Sequence, residues 1–245
     1  MILTAGLGTR LKPLTDKVPK PLLYTGDFRM LDLCVAYLKK YGIDEIIINV
    51  HHLADQLMEY VAEKRWEGYR IEISDETTEL MNTGGGLNKA SWFFGGEKDF
   101  VLMASDILTD LNLTQVINQH KESGALVTLA VKERKTSRDL LFDEEGYLAG
   151  WKNNQTGEIK NVAGRKGIKG LGFSGIHIIN TALFDKFIET GAFSIIDAYL
   201  RLAETEKIMA FEHSEGKWLE FGRIENIENA LKNPDFVELV RSLEL

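Results

Sequence analysis

Met1-Ile2-Leu3-Thr4-Ala5-Gly6-Leu7-Gly8-Thr9-Arg10-Leu11-Lys12-Pro13-Leu14-Thr15 joins a short apolar run to a glycine turn and a cation. Met1–Ala5 is expected to be a strand, with the turn just past its end. Gly6-x-Gly8 resembles the start of a dinucleotide fingerprint. The third glycine position holds Leu11, however, and Pro13 interrupts any helix opening there. No G-x-x-x-x-G-K-[ST] loop is present. What remains is a turn with exposed amides, followed by Arg10 and then Lys20. Backbone N–H groups and two cations after a strand can cradle a polyphosphate. Arg grips phosphate bidentately, whereas Lys acts as a point charge. By spacing alone, an ordinary βα turn with solvent-facing cations fits equally well.

Outward from this turn the chain alternates. Leu31–Tyr41 has apolar residues at helix spacing, a basic last turn at Lys39-Lys40 and a stop at Gly42. Glu45–Val50 (EIIINV) is a β-branched run typical of a buried strand. Leu53–Lys64 is an expected helix, Tyr69–Ser74 a strand, Leu87–Phe94 a short helix and Phe100–Ala104 an apolar strand. Leu113–Ser123 is a helix closed by Gly124, and Ala125–Val131 a strand. Strands alternating with helices imply crossovers and a mainly parallel sheet. The expected class is α/β: a three-layer α/β/α sandwich around a Rossmann-like, mostly parallel twisted sheet.

Past residue 131 the texture changes. Leu140–Trp151 reads as a hairpin, Asn153–Gly170 as a loop and Gly172–Ile179 as a strand. Ala182–Ile188 and Ile195–Glu204 read as helices. Strands follow around Phe211 and Trp218, with helix from about Glu225. We expect a single domain over 1–245: a first half (1–131), a second half carrying the hairpin and loop insertion (132–222) and C-terminal helices (223–245).

Composition narrows the classes. The 245 residues carry 29 Lys and Arg against 37 Asp and Glu, a net charge of −8, which argues against a nucleic-acid groove. The single cysteine, Cys34, excludes an internal disulfide and a cysteine-based zinc site. No run of eighteen apolar residues exists, and the start lacks a basic stretch before an apolar one. A cytoplasmic protein without membrane or nucleic-acid partners is expected.

Two further features carry chemistry. Ser105-Asp106 follows the strand Phe100–Ala104, and the carboxyl ends of parallel strands are where α/β ligands bind. A carboxylate there suits Mg²⁺, and a helix cap or turn Asp fits equally well. Asn82-Thr83-Gly84-Gly85-Gly86 is expected to precede a short helix and to allow close backbone approach to a flat ligand. Alone, it reads as a flexible turn. Asn49 at a strand end serves a base or sugar contact and a turn cap equally. His51-His52 point apart in an extended chain and read as surface histidines. Trp92-Phe93-Phe94 reads as core or interface.

Gly6-x-Gly8-Thr9-Arg10-Leu11-x-Pro13-x-Thr15, followed by Pro19-Lys20-Pro21-Leu22, resembles the signature of the sugar-phosphate nucleotidylyltransferases. That resemblance implies the nucleotide-diphospho-sugar transferase fold, with 1–131 the nucleotide-binding half and 132–222 the sugar-phosphate-binding half. It implies that Ala5, Gly6, Leu7, Gly8, Thr9 and Arg10 hold an NTP triphosphate and that Lys20 sits by the reacting phosphates. Asn82, Thr83, Gly84 and Gly85 resemble the family's base and ribose segment. Glu79–Gly86 (ELMNTGGG) is most similar to a subgroup containing N-acetylmuramate-1-phosphate uridylyltransferases.

The family places one metal-binding Asp in a Gly-Asp pair, and Ser105-Asp106 stands there. It places a second in Trp-x-Asp-x-Gly-Thr, matched here by Trp218-Leu219-Glu220-Phe221-Gly222-Arg223. Asp106 and Glu220 are thus the implied Mg²⁺ ligands, with Glu and Arg223 departing from the pattern. Gly170-Leu171-Gly172-Phe173-Ser174-Gly175-Ile176-His177 resembles the sugar-side segment. The candidate sugar contacts are Gly172, Ser174, Gly175 and Lys169, the last of a basic group with Arg165 and Lys166 that also reads as a solvated loop.

The resemblance implies Mg²⁺-dependent nucleotidyl transfer from an NTP to a sugar 1-phosphate, with Arg10, Lys20 and Asp106 catalytic. UTP with N-acetylmuramate 1-phosphate leads. Mannose or glucose 1-phosphate with GTP or dTTP, and a catalytically weak nucleotide-sugar-binding regulatory homologue, are the alternatives. A nicotinamide enzyme is disfavoured by Leu11 and Pro13. A monomer or small homo-oligomer is expected.

Overall fold

The computed structural model describes residues 1–243. The chain divides into two compact units. The first comprises Met1–Asn82, Met103–Leu111 and the chain from Gly216. The second comprises Thr83–Leu102 and Asn112–Glu215.

The first unit is built on parallel strands. Ile46, Ile47, Ile48 and Val50 are fully buried in Glu45–Val50, as a strand covered on both faces requires. This strand pairs with Ile2–Leu3 on one side (Ile2↔Ile48) and with Arg70–Asp75 on the other (Glu45↔Arg70 through Val50↔Asp75). Ile2 and Leu3 also pair in parallel with Met103 and Ala104. Helix Met30–Lys40 buries Leu31, Cys34, Val35 and Leu38 and ends in Lys39-Lys40, where cations oppose the partial negative charge of the last carbonyls. Ala54–Glu63 is the second helix expected from spacing. Near the C-terminus, Ile224–Glu228 and Pro234–Arg241 are helical. The latter has proline at its start and the Asn233 side chain accepting from Asp235 N.

In the second unit, Val127–Lys132 pairs antiparallel with Lys169–Asn180 and parallel with Ile208–Glu212. Lys169–Asn180 also pairs antiparallel with Arg138–Phe142, the first strand of the expected hairpin, whose second strand is Leu148–Asn153. Helices Leu113–Ser123 and Ile195–Leu202 belong here. Gly124 closes the first at φ 63°, a value that costs other residues steric strain. Val127, Leu129, Val131, Ile176 and Tyr199 are completely buried in this core.

The class is α/β, with a mixed sheet. In the first unit Ile2–Leu3, Glu45–Val50 and Arg70–Asp75 pair in parallel, and pairing is antiparallel where the hairpin attaches. Two expectations need correction. Asn153–Gly170 is not all loop: Ile159–Asn161 is a strand antiparallel to Leu148–Asn153, and the next strand begins at Lys169. All three residues of that short strand are exposed, so no alternation of polarity marks it. Ala182–Ile188 is instead the 3₁₀ segment Thr181–Lys186, opened by the Asn180 side chain accepting from Ala182 N. Among the described residues, no helix is long and apolar enough to cross a membrane.

Candidate functional site

The glycine turn leaves the strand Ile2–Leu3 with Gly6 and Leu7 exposed. Gly8 takes φ 63° and opens a 3₁₀ turn over Thr9–Leu11. Its carbonyl accepts from Leu11 N at 2.8 Å and from Thr15 Oγ1 at 2.9 Å. A Cβ on Gly8 would lie 2.6 Å from Thr15 Cγ2, so both the dihedral and the space demand glycine. Thr15 is fully buried, and its carbonyl meets His52 Nε2 at 2.7 Å. The turn is therefore held from beneath, while Arg10 projects from it.

Lys20 lies between Pro19 and Pro21 in another 3₁₀ turn, Lys20–Leu22. Its Nζ donates to Asp106 Oδ2, with the two side chains 17% and 10% exposed. Asp106 follows Ser105, which is buried and has no left-handed backbone, so the family's glycine is not needed here. Beneath this pair Cys34 Sγ lies 4.0 Å from the carbonyls of Ala104 and Ile107. Burial, then the Asp106 charge, pushes the Cys34 thiol up to about 12, so it is no nucleophile.

Glu220 ends the strand Trp218–Glu220, which pairs antiparallel with Ile107–Thr109. Glu220 stands opposite Ile107, and Phe221 N donates to Asp106 O at 2.8 Å. The two carboxylate-bearing segments are thus bound backbone to backbone. Arg10 Nη2 donates to Glu220 Oε1 at 3.1 Å. A Cβ on Gly222 would lie 2.6 Å from Glu220 Oε1 and 2.8 Å from Arg10 Nη2, so the glycine makes room for the ion pair. Arg223, in the family's Thr position, is exposed and precedes helix Ile224–Glu228.

The donor chemistry fits Mg²⁺: Glu220 ends one strand and Asp106 immediately precedes the strand paired with it, each carboxylate beside a cation that phosphate could engage instead. Among the described residues no group of three or more His, Cys, Asp or Glu side chains is gathered, and Mg²⁺ needs only one or two carboxylates when phosphates and waters complete its shell.

The glycine run departs from its expected form. Asn82–Lys89 is helical, so the glycines lie inside the helix rather than before it. Asn82 alone takes a positive φ, 59°. In the second unit, Phe193 O accepts from Gly84 N at 2.9 Å and from Gly85 N at 3.4 Å, and Thr83 Oγ1 accepts from Ile195 N at 3.0 Å. A Cβ on Gly84 would lie 2.3 Å from the Phe193 ring. Glycine serves close packing here, not backbone freedom.

The sugar-side candidates also lie in the second unit and engage this chain's own side chains. Lys169 Nζ pairs with Glu212 Oε2 at 2.7 Å. Ser174 is fully buried, with His213 Nε2 2.8 Å from its hydroxyl. A Cβ on Gly172 would lie 2.9 Å from Arg134 Cγ, and Arg134 Nη2 donates to Phe173 O at 2.9 Å. Gly175 takes φ 78° where the register against Val127–Lys132 shifts, so a bulge requires it. Arg165 pairs with Asp143 at 2.9 Å. Trp92 is 58% exposed, whereas Phe94 is buried and stacks on Phe100.

Asn49 is neither a turn cap nor open to a ligand. It is buried, its Oδ1 accepts from Thr4 N at 2.8 Å and its Nδ2 donates to Glu76 Oε1 at 2.8 Å. Glu76, completely buried, has no sequence signal: it stands just past the expected strand Tyr69–Ser74, next to a second acidic residue, Asp75.

The chain is 33% identical to the UTP–glucose-1-phosphate uridylyltransferase of Synechocystis sp. over 141 residues, 54% of this chain and 36% of that protein. It is 28% identical to the N-acetylmuramate alpha-1-phosphate uridylyltransferase of Neisseria meningitidis over 236 residues, 94% of this chain and 95% of that one. So it spans about a third of one relative and nearly all of the other. The UDP-glucose pyrophosphorylase of Acinetobacter baumanii shares the fold at a TM-score of 0.75, with 16% identity over 99% of this chain and 98% of that chain. Residues 1–140, which hold the glycine turn, Lys20 and Asp106, match the nucleotidyl transferase family, and the chain belongs to it.

Proposed function

We propose that the protein transfers a nucleotidyl group from an NTP to a sugar 1-phosphate, releasing pyrophosphate. The observation that carries this reading is the pair of cation–carboxylate contacts, Arg10–Glu220 and Lys20–Asp106, beside an exposed glycine turn. An oxygen of the sugar phosphate attacks the α-phosphorus, and the bond from that phosphorus to the bridging oxygen of the β-phosphate breaks. No covalent enzyme intermediate is needed, so the protein's contribution is positioning and charge neutralisation.

In this reading the amides of Ala5–Thr9 and the Arg10 guanidinium hold the triphosphate and then the departing pyrophosphate. Lys20 neutralises the α-phosphate or orients the sugar phosphate. Asp106 and Glu220 would hold Mg²⁺, which when bound stabilises charge on phosphoryl oxygens. Asn82, Thr83, Gly84 and Gly85 are assigned to the base and ribose. Lys169, Gly172, Ser174 and Gly175 are assigned to the sugar, and entry of the sugar there requires Arg134 and Glu212 to yield.

UTP with N-acetylmuramate 1-phosphate is the first choice of substrates, supported by the Neisseria relative's match along nearly its whole length. Glucose or mannose 1-phosphate with dTTP or GTP is the second. The test is pyrophosphate release from a grid of nucleoside triphosphates against these sugar 1-phosphates with Mg²⁺. Release from one pair above all others is expected. Calorimetric binding of a nucleotide with no release from any pair would instead identify a regulatory homologue.

A further inference from the structure

A chain of buried hydrogen bonds runs through the first unit and touches both segments assigned above to the nucleotide. Thr4 N donates to Asn49 Oδ1 at 2.8 Å, and Thr4 Oγ1 donates to Asn49 O. Asn49 Nδ2 donates to Glu76 Oε1 at 2.8 Å, and Met81 N donates to Glu76 Oε2 at 3.0 Å. His51 Nδ1 meets the Glu76 carbonyl at 2.7 Å. Thr4 is the residue before Ala5, where the glycine turn begins, and Met81 is the residue before Asn82. Thr4, Asn49 and Glu76 are respectively 5%, 3% and 0% exposed.

This chain uses a costly residue. A completely buried carboxylate is retained only where its oxygens are satisfied, and an apolar residue would fill the same volume without that constraint. Here each oxygen has a different donor: one belongs to Asn49, which holds the glycine-turn strand, and the other to the backbone just before Asn82. The link joins points 77 residues apart in sequence, from Thr4 to Met81 (81 − 4).

We propose that Asn49 and Glu76 are positioning residues that lock the phosphate-binding turn to the segment entering Asn82, so that triphosphate and nucleoside are held in one register. This inference rests on the nucleotide roles proposed for Ala5–Thr9 and Asn82. Neither side chain touches substrate. Their effect is on how well the two segments are pre-organised, which governs nucleotide affinity more than the chemical step.

Polarity gives the link a specific test. Glu76→Gln places an amide N–H against a donor at one of its two contacts. Asn49→Asp places a carboxylate against Glu76. Each single variant leaves one contact of this hydrogen-bond chain mismatched and is expected to raise KM for the preferred NTP about tenfold, with kcat within about threefold. Combining Asn49→Asp with Glu76→Gln reverses the bond: the amide introduced at position 76 donates to the carboxylate introduced at position 49, while Thr4 N and Met81 N keep their acceptors. The double variant is expected to return KM to within about threefold of the wild type.

Amide hydrogen exchange gives a readout that needs no turnover. In the Glu76→Gln protein, protection is expected to fall in residues 4–9 as well as 76–82, and to return at both in the double variant. Loss confined to one of the two segments in both single variants, or no recovery in the double variant, overturns the coupling. If the wild-type protein turns over no NTP, the proposed activity fails while the exchange result still decides the link.

Discussion

Glu220 Oε1 accepts a hydrogen bond from Arg10 Nη2 across 210 residues of sequence, over the bare backbone of Gly222. The group assigned to the triphosphate is therefore already neutralised by a group assigned to the metal. Arg10 is 59% exposed at its side chain and Glu220 30%, so water screens the pair and its opening costs little. We expect Glu220→Gln to act with opposite signs in two assays. Without divalent cations, calorimetry should show nucleoside triphosphate binding tightened about two- to fivefold, because Arg10 no longer has a competitor. With Mg²⁺, pyrophosphate release should fall. Unchanged metal-free binding would show that the pair does not compete with phosphate.

Lys20 and Asp106 form the more enclosed of the two pairs. Asp106→Asn and Lys20→Ala are each expected to cut pyrophosphate release at least about a hundredfold, the usual cost of losing a preorganised charge at a reacting centre. Their stabilities should differ. Lys20→Ala leaves a shielded carboxylate without its cation, and urea denaturation should show a loss of about 1–3 kcal/mol. The same change in an Asp106→Asn background should cost less, since no charge is then stranded. Near-wild-type release from either single variant removes that residue from the mechanism.

The parts of this site that were legible in the sequence are those whose cause is local. Glu45–Val50 reads as a buried strand from six consecutive residues, and Gly124 marks a helix end by itself. Gly8 is demanded by its own φ and by Thr15, seven residues away. What was hidden depends on distant partners. Gly84–Gly86 resembles a flexible turn until the Phe193 ring and carbonyl are brought against it. Asn49 resembles a cap until Thr4 and Glu76 take both ends of its amide. A short spacing pattern carries no information about either.

Gly84 offers a direct check on that packing. A methyl group added there would lie 2.3–2.4 Å from two carbons of the Phe193 ring and must displace it. Overpacking of this kind costs about 1–3 kcal/mol, whereas replacing a helical glycine by alanine returns about 1 kcal/mol. Gly84→Ala is therefore expected to lower the midpoint of urea denaturation with little change in slope. Adding Phe193→Leu should recover part of the loss. A Gly84→Ala protein more stable than the wild type would mean that helix propensity, not the ring, decides this position.

Two buried histidines contribute to how the fold responds to acid. His177 is enclosed with Nδ1 3.1 Å from Tyr199 Oη, and burial pushes its pKa from 6.5 down to about 3. His120 meets Thr128 Oγ1 and Asp99 Oδ1, and burial lowers its pKa too, against the opposing pull of Asp99. Both are more readily protonated in the unfolded chain. As pH falls below the unfolded value of 6.5, the unfolded state binds protons that the native state refuses, so stability decreases with falling pH. For His177 the loss accumulates down to about pH 3, at up to about 1.4 kcal/mol per pH unit. His177→Gln keeps a polar group beside Tyr199 and removes the titration. It is expected to be less stable than the wild type at pH 7 and to lose less stability between pH 6.5 and pH 4.5. Urea midpoints measured across that range check this, and parallel curves for the two proteins would show that His177 already carries its proton in the folded state.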